Sequence, residues 1–218
     1  MDIKKKDLKK NIDLAEFFGI MLGDGNIYIN KRSGHYLIRV FIGKREVDYR
    51  LYVSRLIKKI FGVTPKYYLF RQSEYVLYFN SKSIAYLLLD LGLVHGDKKR
   101  NKVRIPHWIF ANSNYLKACI RGLVDTDDCL YKKYKYPKIL QIEFYSGVLT
   151  LLLDFRRALI RLGFKVSRII QRKNGAAPKC GIYSKEEVKR YCDEIGFKNP
   201  KHLNLIKKVM PRWCSGRA

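Results

Sequence analysis

Residues Ala15-Glu16-Phe17-Phe18-Gly19-Ile20-Met21-Leu22-Gly23-Asp24 and residues Ala118-Cys119-Ile120-Arg121-Gly122-Leu123-Val124-Asp125-Thr126-Asp127 are one pattern written twice. Ala15, Gly19 and Gly23 return 103 positions later as Ala118, Gly122 and Thr126, and Asp24 returns as Asp127. The echo runs on through the chain. Ser81-Lys82 returns as Ser184-Lys185, Leu91-Gly92-Leu93 as Ile195-Gly196-Phe197, and Phe61-Gly62 as Leu162-Gly163. The offset drifts only between 101 and 104, as short loop insertions would make it. A period of about half the chain marks an internal duplication, in which each copy is one structural unit.

Both copies predict the same order of elements. A mostly apolar helix (13–24; 115–127) leads into alternating, aromatic-rich segments at 26–31 and 36–43, and at 129–134 and 139–146. Tyr49, Val53, Leu56, Ile57 and Ile60 then fall at helical spacing, as do Val148, Leu152, Phe155, Leu159 and Leu162. A second strand pair follows (66–70 and 74–80; 166–171 and 179–183), then a helix over 82–91 and over 185–195. The expectation is an α+β protein of two pseudo-symmetric αββαββα repeats, at 1–93 and 115–218. A basic linker, 94–114, joins them, and Asn112-Ser113-Asn114 supplies an N-cap for the second leading helix.

Composition bounds the function. The chain has 218 residues, of which 47% are hydrophobic and 29% charged, the balance of a folded globular protein. Its 45 Lys and Arg against 19 Asp and Glu leave a net charge of +26, which makes most sense beside a polyanion such as nucleic acid. No apolar run is long enough for a membrane span, and the first residues lack the apolar stretch of a secretory signal. Cys119, Cys129, Cys180, Cys192 and Cys214 form an odd set without a C-x-x-C pair, read as reduced thiols. The expected setting is therefore intracellular, cytoplasm or nucleoid first and an organelle second.

Small residues four apart make a shallow stripe on a helix. The two stripes (Ala15, Gly19, Gly23; Ala118, Gly122, Thr126) predict that the leading helices pack closely on each other. Glycine in a helix interior costs about 1 kcal/mol relative to alanine, so its recurrence needs such a reason. Asp24 and Asp127 then fall at the C-terminal helix ends, where the dipole disfavours a carboxylate. Brought together, two like charges call for a cation. Mg²⁺ suits the place because it takes carboxylate, water and phosphate oxygens, and those are the parts of metal-assisted phosphodiester hydrolysis.

The segments Phe17–Gly25 and Ile120–Asp128 resemble the two motifs of a single-chain LAGLIDADG homing endonuclease, and the resemblance extends over about 12–205, including Gly196-Phe197-Lys198-Asn199-Pro200-Lys201. It implies two antiparallel sheets forming a saddle over a long asymmetric site on double-stranded DNA. It also implies divalent metal, Mg²⁺ or Mn²⁺, held by Asp24 and Asp127, with the main chain of Gly23 and Thr126 as further donors. Each acid would direct one strand cut, leaving short 3′ overhangs. Lys44, whose counterpart is Ser146, and Lys98 and Lys201 after the last helices would tune water and phosphate; a lone lysine in so basic a chain serves equally as a phosphate contact. The expected enzyme is intron-encoded and works as a monomer, since one chain carries both motifs.

Two positions depart from the pattern. Asp128 stands where the family has Gly, adding a third carboxylate, and Asp125 faces a leucine, Leu22, in the first copy, so its part is structural or supporting. DNA reading is expected from strand faces: Tyr28, Asn30 and Arg32, their counterparts Tyr131, Lys133 and Lys135, and further Arg39, Lys66, Arg71, Gln141, Gln171 and Lys173. Within the same fold, a maturase binding its own intron RNA is the alternative. A non-catalytic nucleic-acid-binding protein is the other, though it predicts neither the paired acids nor the stripes.

Overall fold

The computed structural model describes residues 9–127, 129–133, 136–172 and 175–210, the side chains at 137 and 138 excepted. Asp128, Lys135, Lys173 and Cys214 therefore lie outside the described residues. The first half runs α1 (Ile12–Asp24), β1 (Gly25–Asn30), β2 (His35–Gly43), α2 (Val47–Phe61), β3 (Lys66–Phe70), β4 (Glu74–Asn80) and α3 (Lys82–Asp90). After a short α4 (His107–Phe110), the second half runs α5 (Ser113–Thr126), β5 (Leu130–Lys133), β6 (Tyr136–Tyr145), α6 (Leu149–Arg161), β7 (Lys179–Ile182) and α7 (Lys185–Glu194). α8 (Pro200–Val209) follows.

The strands form two antiparallel sheets, ordered β1-β2-β4-β3 and β5-β6-β7. The second sheet departs from the expected repeat. The strand anticipated at 166–171 contracts to a single bridge between Ile170 and Lys179. In the first half, Lys66-Tyr67-Tyr68-Leu69-Phe70 is a run of strong β-formers, closed by a turn in which Arg71 and Gln72 both take positive φ, as tight hairpins require. In the second, Ser167 diverts the ladder: its hydroxyl accepts the Gly181 N–H and donates to the Arg168 carbonyl, while its own carbonyl accepts from Arg156 Nε. Local side-chain bonds of this kind compete with strand pairing.

α1 and α5 form the spine. Asn11 and Asn112 cap their N-termini, each side-chain oxygen accepting main-chain N–H bonds of the first turn. Their contact is backbone against backbone. A Cβ at Gly19 would lie 2.0 Å from the Cys119 carbonyl oxygen, and one at Gly122 would lie 2.3 Å from that of Glu16. One turn on, a Cβ at Gly23 would lie 2.1 Å from Thr126 Oγ1, and Ala15 and Ala118 are buried beside the seam. The glycines are thus required by the approach of the two helices.

The core continues from this pair to the inner faces of both sheets, where Ile27, Ile38, Val40, Leu77, Leu140, Ile142, Phe144 and Ile182 are buried. Residues 94–114 pack into it rather than hanging in solvent. Val103, Ile105, Ile109 and Phe110 are buried, Trp108 Nε1 donates to the Leu91 carbonyl, and the Ile105 N–H donates to Asp154 of α6. Among the described residues no helix is long and apolar enough to cross a membrane, and no disulfide joins Cys119, Cys129, Cys180 or Cys192.

Candidate active site and nucleic-acid interface

Asp24 ends α1 and Asp127 is the C-cap of α5, so the close crossing of the helices carries both carboxylates to the same end of the spine. Each sits where the helix dipole disfavours negative charge. Burial, then the Asp127 charge, pushes the Asp24 carboxyl up to about 7, against the opposing pull of Lys98 and Lys201. Lys98 enters from the segment between the halves. Its ammonium donates to the carbonyls of Leu22, at 3.0 Å, and Gly23. Burial lowers Lys98 to about 8, while Asp24 and Asp127 act to raise it. The Gly23 carbonyl, expected as a metal donor, is thus engaged by Lys98.

Lys201 lies on the first turn of α8, with its ammonium 2.8 Å from Glu46 Oε1. Glu46 was not singled out in the sequence, yet it ties the site together. Its Oε2 accepts the Gly43 N–H at 3.0 Å, closing the loop after β2, and its Oε1 accepts from Asn199 Nδ2 at 2.8 Å. Asn199 is buried; its amide also donates to the Asp125 carbonyl, and its side-chain oxygen caps α8 by accepting the Lys201 N–H. Asp125, fully buried, accepts the Lys198 N–H at 2.7 Å, and burial raises its carboxyl to about 7. It fastens the 198–201 segment to α5. The signals for this web were an Asn-Pro cap motif and a glutamate three residues after a strand-end glycine.

Lys44 is not drawn into the cluster. It is exposed on the loop after β2, where its N–H donates to the Ser73 carbonyl.

On the outer face of the first sheet, strand register sets Asn26, Arg39, Tyr78 and Lys66 in one row. Arg39 donates to the Asn26 side chain at 2.6 Å and lies over the Tyr28 ring, itself 42% exposed. Asn30 accepts the N–H groups of Arg32 and Ser33 and so shapes its own turn. Arg32 therefore belongs to the turn and not, as alternation suggested, to the strand face: β1 ends at Asn30. Arg71 likewise sits in the β3–β4 turn, and Gln171 lies outside any strand because the expected strand there is missing. On the second sheet, Tyr131 and Gln141 pair across β5 and β6, and the register shifts at Lys132/Lys133.

Residues 114–196 match the LAGLIDADG-like domain. No curated protein matches the chain. Among solved structures, the complex of the homing endonuclease I-DmoI with DNA and Ca superposes with a TM-score of 0.60 at 18% identity, covering 90% of this chain and 98% of that one. The meganuclease I-SmaMI bound to uncleaveable DNA gives 0.56 at 11% identity, covering 94% and 90%. Full-length WhiA from Thermatoga maritima gives 0.53 at 13% identity, covering 94% of this chain and 63% of that one. The fold is the LAGLIDADG fold, and both halves of the chain take part in it.

Proposed function

We propose that the protein is a sequence-specific double-strand DNA endonuclease of the homing type that hydrolyses phosphodiesters with divalent metal at a long, asymmetric site. The observation that carries this reading is the meeting of Asp24 and Asp127 at one end of a glycine-packed helix pair, with two lysines beside them. The donor set suits a hard divalent cation. Burial and the mutual repulsion of two carboxylates leave Asp24 raised to about 7, a cost that a bound cation relieves. Among the described residues no group of three or more His, Cys, Asp or Glu side chains forms a metal cage, so water and phosphate oxygens would complete the shell, as is the habit of Mg²⁺. Such an ion supplies Lewis-acid activation of water and charge neutralisation at the phosphate.

The chain's own residues supply the rest. Lys98, lowered to about 8, can hold or yield a proton beside the scissile phosphate near neutral pH. Lys201, held by Glu46, adds a second cation to the charge that develops on the phosphate. Arg39, Asn26, Tyr28 and Lys66 offer the first half of the site a mixed set of base and phosphate contacts. The likeness to homing endonucleases solved on DNA supports duplex DNA as the partner. The +26 charge makes binding strongly salt-dependent, and both motifs on one chain favour a monomer.

The test is cleavage selection from a randomised duplex library with Mg²⁺ and with EDTA, beside Asp24→Asn and Asp127→Asn. One long target, cut only with Mg²⁺, with 3′ overhangs, and nicked or uncut by each variant, is the expected result. Binding of duplex without any cutting overturns the nuclease reading and marks a nucleic-acid-binding relative of the same fold.

A further inference from the structure

Glu143 lies on the outer face of the second sheet, the face of Tyr131 and Gln141, yet its side chain is only 3% exposed. The first sheet carries Phe41 opposite Val76 at the matching place, and the second carries Glu143 opposite Gly181. The glycine makes the room: a Cβ at Gly181 would lie 2.2 Å from the Ile142 carbonyl oxygen and 3.1 Å from Glu143 Cγ. Lys179 Nζ donates to both Glu143 oxygens, at 2.8 and 2.9 Å, and the Tyr145 hydroxyl donates to Oε2. Tyr131 and Tyr183 approach the same carboxylate. Burial, and then the bond to Glu143, holds the Tyr145 phenol protonated.

A carboxylate on the face of a basic DNA-binding sheet needs a reason. Its charge does not repel phosphate here, because Lys179 cancels it at contact distance. What it changes is the chemistry of Tyr145. A free phenol rotates and meets a base donor or a base acceptor equally well. A phenol whose proton is committed to a carboxylate has only oxygen lone pairs left to offer. In the major groove the donors are the exocyclic amines of cytosine and adenine, whereas guanine O6 and N7 and thymine O4 are acceptors.

We infer that Glu143 is a positioning residue for base reading: it accepts the hydroxyl hydrogen bond of Tyr145, so that the phenol oxygen selects the amine of a cytosine or an adenine. The inference rests on the DNA-binding reading above and names what the second half of the protein recognises. The cluster lies toward the active-site end of its sheet, because the Glu143 N–H donates to the carbonyl of Cys129, two residues beyond Asp127. The selected bases are those next to the cleavage position on the second-half side. The first sheet, with Phe41 and Val76 at the matching place, has no such device.

The experiment is selection of bound duplexes from a randomised library, with Ca²⁺ in place of Mg²⁺, for the wild type, Glu143→Gln and Tyr145→Phe. The wild type is expected to enrich cytosine or adenine at one or two positions beside the centre on the second-half side. Both variants are expected to lose that preference by about tenfold while keeping their preferences in the first half-site. Tyr145→Phe removes one hydroxyl from a half-exposed ring and leaves packing in place, so it tests the idea even if Glu143→Gln folds poorly. Unchanged preference in a folded Tyr145→Phe, or enrichment of guanine or thymine at those positions by the wild type, overturns the inference and leaves DNA binding standing. Failure of the wild type to bind any duplex overturns the DNA-binding reading itself.

Discussion

The two halves agree along one line and differ on either side of it. Along the seam, Gly19 faces the backbone at Cys119 and Gly122 faces the backbone at Glu16, so each half contributes the same glycine for the same steric reason. Beside the seam the positions no longer match. Glu16 corresponds to Cys119, Phe18 to Arg121 and Leu22 to Asp125. The first half sets Phe18 edge-on against Trp108 in an apolar flank. The opposite flank is polar: Arg121 donates to the buried Glu16 carboxylate and to the Ile195 carbonyl, and Tyr52 donates to Glu16 at 2.5 Å. Backbone contact tolerates no divergence. Side-chain contact tolerates any pair of changes that keeps buried groups partnered.

Putting a side chain on the seam should have the largest effect. Gly122→Val drives a branched side chain into the Glu16 carbonyl, and we expect loss of more than about 3 kcal/mol, seen as failure to give a cooperative thermal melt. A fold of near wild-type Tm would show that the helices can part, and the backbone contact would not be the reason for the repeated glycines. Next in size is the polar flank. Arg121→Met strands the Glu16 charge in the interior and should cost about 3–5 kcal/mol by chemical denaturation, while Glu16→Leu combined with Arg121→Met should recover most of it. A double variant no better than the single one would mean that the flank is not a self-contained pair.

A smaller effect separates the acids. Asp24 is raised to about 7 from an ordinary carboxylate value, so between about pH 4 and pH 7 the folded state holds a proton that the unfolded chain has released. Metal-free stability should therefore fall as pH rises through that window, and Asp125, raised to about 7 by burial, adds to the slope. Asp24→Asn should flatten part of the slope and remove most of the rise in Tm that Mg²⁺ brings at pH 8. An unchanged Mg²⁺ response in that variant would place the cation elsewhere. Smallest of all, Glu46→Gln keeps the Asn199 contact but loses the ion pair to Lys201, and should cost about 1 kcal/mol or less, with a larger loss of cleavage rate than of binding. A fall in binding alone would assign Lys201 to general phosphate contact.

Much of this was legible in the residues because spacing encodes packing. The stripe of small residues marked the helix contact, and alternation located the strands of the first sheet to within a residue. What escaped has common causes. Arg32 was placed on a strand because alternation carries no information about where Asn30 bends the chain into its own turn. The strand at 166–171 failed because Ser167 offers its hydroxyl where a neighbour's backbone would have paired. Glu46, Asn199 and Glu143 carry at most a local signal in the sequence, and their roles escape it for another reason. Each draws its meaning from partners distant in sequence, and Glu46 with Asn199 spans the two halves.

The partnership of Glu16 with Arg121 also makes the two halves depend on each other. Two copies of the first half, crossing on their own α1 helices, would bury a pair of glutamates against phenylalanines. Two copies of the second would bury a pair of arginines against cysteines. A symmetric dimer of either half would lose this pairing of unlike charges across its seam. The charge pair needs two different halves, because Glu16 lies on one and Arg121 on the other. It works as a key, favouring the joining of unlike halves over like ones.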